Sequence, residues 1–197
     1  MSRVRTISAL QRANAACTRC VDAGYLPRAA PVFEGKAGQR AYLFGLAPGR
    51  EEDVDGRPWR GRAGRTLRGW LRLEDDEFRR IFYCASVTRC FPGKAASGRG
   101  DRAATTVEQE LCAEWQRDEM RLLRPALVVT VGLTSARRLL GVTSLAEAVG
   151  KSYLLGEAIA IPLPHPSGAS GWLNDAANRA RLGKALTHIR RELTRLG

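Results

Sequence analysis

GLAPGREEDVDGRPWRGRAG, residues 45–64, decides the reading of this chain. It leaves AYLFGLA (Ala41–Ala47), a run too uniformly apolar for the alternation of a half-exposed strand, which therefore reads as a short buried strand. Pro48 and Gly49 break that strand. An acidic and basic loop follows, and Gly64 leads into the helix-like run TLRGWLRL. Five glycines and two prolines between residues 45 and 64 imply backbone passing close to a ligand. In α/β proteins, loops at the C-terminal ends of strands are where sites are built.

Working outward, further strands are expected at Ile81–Val87, Leu127–Val131 and Ala158–Pro162, beside the first at Ala41–Leu46. Helices are expected at about Thr6–Ala15, Arg65–Leu73, Val107–Leu123 and Ser135–Leu140. Thr105 with Glu108 forms a capping box for the third of these. The C-terminal helix carries Leu182, Leu186, Ile189, Leu193 and Leu196 on one face, with Asn174 or Asp175 as its cap. Strands alternating with helices predict an α/β fold: a three-layer α/β/α sandwich around a short, mainly parallel four-stranded sheet. The sequence shows no internal repeat, and residues 1–197 read as a single domain. GKAASGRGDRAA (Gly93–Ala104) reads as a polar, Gly-rich loop.

The net charge is +12, and 28 of the 32 basic residues are arginine, whose planar forks bind phosphate bidentately. A polyanionic partner follows from that balance; the competing reading is an Arg-rich surface without a partner. No apolar stretch approaches the length of a membrane span, and the N-terminal residues lack the apolar core of a signal peptide. A soluble, cytoplasmic monomer is expected.

Cys17 and Cys20 form a CxxC, and Cys90 and Cys112 lie far along the chain. In a cytosolic protein such thiols supply metal ligands more readily than disulfides. Four thiolates suit either zinc or a 4Fe-4S cluster, the spacing does not separate the two, and free thiols are the third reading. The fifth, Cys84 in FYCASV, reads as a buried strand residue.

Two further patches, TRCFPGK (Thr88–Lys94) and PHPSG (Pro164–Gly168), complete the pattern. With residues 45–64 they resemble the uracil-DNA glycosylase superfamily, in particular its iron–sulfur branch, families 4 and 5. Gly45, Ala47, Pro48, Gly49, Glu52, Asp53, Gly56, Pro58, Gly61, Ala63 and Gly64 match that branch's first motif, GEAPGxxEDxxGxPFxGxAG. The resemblance implies a base-excision DNA glycosylase that flips uracil or a related deaminated base out of DNA. It also implies a structural 4Fe-4S cluster on Cys17, Cys20, Cys90 and Cys112, with Cys90 in the KCRPP-like patch.

The resemblance further implies individual roles. Trp59 takes the place of the motif's Phe and stacks on the flipped base. His165 donates to uracil O2 and stabilises the anionic leaving group. Ala47 stands where the best-known members of the superfamily carry the water-activating Asp, which leaves Glu52 or Asp53 for that task. Backbone amides at Leu46 and Ala47 border the base. Ser167 binds phosphate, and Trp172 or Leu173 fills the gap in the duplex, unless both only pack the start of the last helix. Arg60, Arg62, Arg65 and Arg89 are expected on the DNA backbone. His188, inside the last helix, has no expected role.

Two positions depart from the pattern. Leu46 replaces the Glu at the motif's second position. Ser86 falls where an Asn reads the uracil edge, when YCASVTRC is matched to YITNVVKC. One hydroxyl cannot reproduce the paired contact of an amide. The departures point to broader base selectivity, or to the alternative of a damage- or abasic-site-binding protein with little excision. A metal-stabilised nucleic-acid-binding module without a base pocket is the third reading.

Overall fold

The computed structural model describes residues 4–98, 100–168 and 171–196. Its centre is a sheet of strands β1 (Ala41–Gly45), β2 (Phe82–Ser86), β3 (Leu127–Val131), β4 (Tyr153–Leu155) and β5 (Ala158–Leu163), in the order β2-β1-β3-β5-β4. β1, β2, β3 and β5 run parallel, in register Ala41↔Phe82, Ala41↔Leu127 and Leu127↔Ile159. β4 pairs antiparallel with β5. The fifth strand departs from the four expected. YLL is only three residues long, and Leu154 is 80% exposed, so no apolar run announces it.

The parallel strands are buried on both faces, and successive side chains alternate between two apolar cores. Leu43, Cys84, Val129 and Ile161 pack on one side with Leu67 and Leu71 of α4 (Arg62–Leu71), Phe78 of α5 (Asp75–Ile81), and Leu182, Ala185 and Ile189 of α9 (Ala176–Leu196). Tyr42, Phe44, Tyr83, Ala85, Val128 and Ala160 pack on the other with Ile7 of α1 (Ile7–Ala15) and Leu123 of α6 (Thr106–Leu123). Leu139 and Leu140 of α7 (Leu133–Leu140) join that second side. The result is the expected α/β/α sandwich.

The caps follow from local chemistry. Thr105 Oγ1 accepts from Glu108 N at 3.3 Å while Thr105 N donates to Glu108 Oε2 at 2.8 Å, closing the capping box of α6. Arg102 grips the same Glu108 carboxylate through both Nη atoms, and its carboxyl is held down at about 2. Asp175 Oδ1 accepts from Ala177 N and Asn178 N at the start of α9. Three short helices were not anticipated: α2 (Arg19–Asp22), α3 (Arg50–Asp55) and α8 (Leu145–Ala148). Nor was α5, whose acidic first turn and basic last turn complement its dipole without an apolar stripe. Ile81, expected to open β2, is its last helical residue.

Candidate functional site

The loop after β1 is clamped by one carboxylate. Glu52 Oε2 accepts from Gly49 N at 3.0 Å and Oε1 accepts from Gly61 N at 3.1 Å. The first contact caps α3, and the second brings the far end of the loop back against it. Both ends of the motif are thereby fixed by residue 52. Asp53 pairs with Arg28 and its side chain is only 14% exposed. Between the clamped ends, Trp59 takes φ 59°, a left-handed conformation unusual for a bulky residue. Two glycines admit it. A β-carbon at Gly64 would lie 1.8 Å from the Trp59 carbonyl oxygen, and one at Gly45 would lie 3.0 Å from Trp59 Cζ2. Arg68 Nη1 donates to the Trp59 carbonyl at 2.9 Å and sits 3.3 Å from Asp75, which secures the strained residue from α4.

The half-buried Trp59 ring therefore lies across the C-terminal end of β1. His165, two residues past the end of β5, faces it, with ring centroids 6.3 Å apart and an interplanar angle of 35°. The backbone N–H of Ser167 donates to His165 Nδ1 at 3.3 Å, and Ser167 Oγ lies 2.9 Å from the same nitrogen. An N–H can only donate, so Nδ1 is an acceptor and a neutral imidazole carries its proton on Nε2. Burial lowers the His165 pKa below its ordinary 6.5, and the Glu52 carboxylate partly opposes this. His165 is thus biased toward a neutral N–H donor of fixed tautomer, with Glu52 close enough to be felt.

Strand β2 borders the same end. Val87 N donates to Gly45 O and Thr88 N to Leu46 O, so the ladder continues past the strands into both loops. Ser86 is buried, and its hydroxyl donates to Thr88 O at 2.8 Å. Leu46 and Ala47 are half-buried. The structure brings Leu46, Ala47, Glu52, Trp59, Ser86 and His165 to the C-terminal edge of the parallel strands, as the loop reading expected.

Cys17, Cys20, Cys90 and Cys112 line one small, mainly apolar cavity, together with Leu26, Pro31 and Arg89. They come from four places: the turn after α1, α2, the loop after β2, and α6. All are free thiols. Desolvation pushes Cys20 up to about 12 and Cys90 to about 11, while the Ala30 backbone hydrogen bond draws Cys90 back down. The side chains ring a cavity rather than converge on a point: among the described residues no group of three or more closes tightly enough for one metal ion. An all-sulfur donor set around a small, mainly apolar cavity suits a thiolate-ligated group. Cys84, by contrast, is buried within β2, as expected.

Of the arginines expected on DNA, Arg62 and Arg65 are exposed at the start of α4, and Arg60 is 3.4 Å from Asp55. Arg89 is a correction. It is 1% exposed and donates to Glu119 at 2.5 Å, so it cannot touch a phosphate; the loop after β2 turns its side chain into the protein. Trp172 and Leu173 lie in a single 3-10 turn just before α9, partly buried against the core. Ala169 and Ser170, between Ser167 and Trp172 in sequence, lie outside the described residues. His188, on α9, has its Nδ1 3.1 Å from Ser152 Oγ, just before β4. Among the described residues, no helix is long and apolar enough to cross a membrane.

Three contributors escaped the sequence. Arg68 and Arg28 are ordinary basic residues in an Arg-rich chain, and nothing local marks them. Gly132, after β3, is the third: a β-carbon there would lie 3.8 Å from His165 Cβ, so the imidazole packs over it. Its position just past an apolar strand was the available signal.

Known proteins resemble this chain along most of its length. The family model described as the uracil DNA glycosylase superfamily matches residues 32–190. A Type-4 uracil-DNA glycosylase of Thermotoga maritima is 34% identical over 104 residues, 53% of this chain and 50% of the relative. One from Sulfurisphaera tokodaii is 26% identical over 166 residues, 78% of this chain and 70% of the relative. One from Pyrobaculum aerophilum is 28% identical over 142 residues, 70% and 68% respectively. The chain thus spans half the length of the Thermotoga relative and about two thirds of the other two.

Proposed function

The chain belongs to the uracil DNA glycosylase superfamily, and from that premise we infer that it is a DNA glycosylase of base-excision repair. Its substrate is DNA carrying uracil or a related deaminated base, and the scissile bond is the N-glycosidic one. The observation that supports this most is the facing pair Trp59 and His165, with His165 Nδ1 occupied by the Ser167 N–H. The indole offers a stacking face for a flipped base. The Nε2–H offers a donor for the carbonyl oxygen on which negative charge grows as the base departs. Backbone at Leu46 and Ala47 closes the pocket beside them.

Ala47 offers no carboxylate to water. Glu52 spends one lone pair of each oxygen on Gly49 and Gly61, which leaves a second pair on each to orient a water and a negative charge to favour the cationic sugar. Asp53, held by Arg28, supports the same loop. Ser86, whose hydroxyl is turned to Thr88 O, leaves the base edge less stringently read than an amide would, so the proposed selectivity extends beyond uracil.

The cofactor that fits the four-thiol cavity is a 4Fe-4S cluster held by Cys17, Cys20, Cys90 and Cys112. When bound it supplies a covalent cross-link between the N-terminal segment, the loop after β2 and α6, and hydrolysis asks no electron of it. Zinc on the same thiolates is the competing occupant. Arg60, Arg62 and Arg65 flank the pocket as phosphate contacts, Ser167 adds a hydroxyl, and Trp172 or Leu173 fills the vacated stack. The proposed working unit is a cytoplasmic monomer on DNA.

A second reading, damage or abasic-site binding without excision, is favoured by one observation: both Glu52 oxygens already serve the backbone. An oligonucleotide panel separates the two, with uracil opposite guanine, uracil in single strand, hypoxanthine, xanthine and an abasic site. Alkali-revealed cleavage that is lost in His165→Ala supports the glycosylase. Selective binding without cleavage in metal-loaded protein overturns it in favour of the second reading.

A further inference from the structure

Arg89 is among the most deeply buried side chains in the protein, and most of its hydrogen-bonding capacity is unspent. Nη2 donates to Glu119 Oε2 at 2.5 Å. Nε and Nη1 are buried without a partner among the described atoms. A guanidinium carries five N–H donors, and leaving several dry is costly unless something fills the space before them. Arg89 also lines the cavity ringed by Cys17, Cys20, Cys90 and Cys112. Of the seven orphaned side-chain atoms among the described residues, five belong to Arg89, Asn14 and Trp115. These residues precede Cys90 by one position, precede Cys17 by three and follow Cys112 by three.

The other side of Arg89 is anchored. Glu119 is fully buried and takes hydrogen bonds from Tyr42 OH at 2.5 Å and Tyr83 OH at 3.4 Å, so the carboxylate that orients the guanidinium is itself fixed to β1 and β2. An ion pair this deep forms part of a larger balance when a third charge lies beyond it.

We propose that Arg89 is a positioning residue for the cofactor, its unpaired Nε and Nη1 donors directed at the anionic thiolate-ligated unit and its Nη2 held by Glu119. This rests on the iron–sulfur reading of the cavity. A cluster ligated by four thiolates brings net negative charge into an apolar space, and a guanidinium with donors to spare offsets that cost. The relay cluster, Arg89, Glu119, Tyr42 and Tyr83 then ties the cofactor to the sheet independently of the cysteines.

The test uses anaerobically purified full chain as wild type, Glu119→Gln, Arg89→Lys and the double variant Arg89→Met with Glu119→Gln. The double change removes both buried charges together, so it avoids stranding one and keeps folding in reach. Iron and zinc content are measured first. Decay of the visible iron–sulfur band under chelator and the cluster's reduction potential are measured next, with far-UV circular dichroism as the folding control. Expected are a modest acceleration of decay in Glu119→Gln, whose amide oxygen still accepts from Nη2, roughly tenfold or faster decay in the double variant, and a potential shifted negative where the cationic donor is lost. Arg89→Lys recovers most of both. A double variant matching Glu119→Gln in decay and potential overturns the assignment, with the cofactor intact. Zinc in place of iron in the wild type overturns the cofactor reading and the assignment with it.

Discussion

The backbone N–H of Gly61 donates to Glu52 Oε1 at 3.1 Å, across nine residues of the loop that carries Trp59. With the Gly49 contact, one carboxylate shuts the loop at both ends. A glutamine can accept at one oxygen only, and its NH2 meets the second N–H donor to donor. Glu52→Gln is therefore expected to lose about 1.5–3 kcal/mol of stability, and base excision with it. Urea unfolding and a single-turnover excision assay check both. Unchanged unfolding would mean that the loop stands without the clamp.

Gly64 meets the backbone of Trp59, not its ring. A β-carbon there would fall 1.8 Å from the carbonyl oxygen and 2.4 Å from the carbonyl carbon. Gly64→Ala is expected to destabilise by the upper part of roughly 1–3 kcal/mol, and Trp59→Phe does not rescue it. Thermal melts of the single and double variants give the answer.

His165→Ala is expected to lower the excision rate roughly 100- to 1000-fold, as removal of a donor to developing negative charge does. Its stability carries a pH signature. Burial lowers the folded His165 pKa below 6.5. The unfolded chain therefore binds the proton more tightly, and stability is fully present above about pH 6.5 and falls on acidification. The wild-type advantage in melting temperature over His165→Ala should grow from pH 5.5 to 6.5 and level off above. A gap independent of pH would show that the imidazole is not desolvated.

Ser86→Asn restores an amide beside the pocket. It is expected to narrow base choice toward uracil by about 1–3 kcal/mol of discrimination against hypoxanthine. Competition between the two bases in paired oligonucleotides measures it.

The sheet was legible because Leu127–Val131 and Ala158–Leu163 are dense apolar runs, and α9 because Leu182, Ile189 and Leu193 repeat on one face. Short elements without an apolar stripe escaped: α5 rests on its acidic and basic ends, and β4 on pairing with β5. The site was legible where chemistry is rare, as at His165, one of two histidines. It was illegible among the arginines. Arg89 looks like Arg60, Arg62 and Arg65 in sequence, and only the turn after β2 distinguishes a buried charge from a surface one. Nothing short of three dimensions pairs it with Glu119, thirty residues away.

Gly45 and Trp59 impose an order on change. The indole's Cζ2 stands 3.0 Å from where a Gly45 side chain would begin, and Cη2 stands 3.6 Å away. A phenyl group at 59 lacks those outer carbons. Any side chain at 45 is therefore expected to require that residue 59 shrink first: Gly45→Ala should cost stability in the wild type and cost less in the Trp59→Phe background.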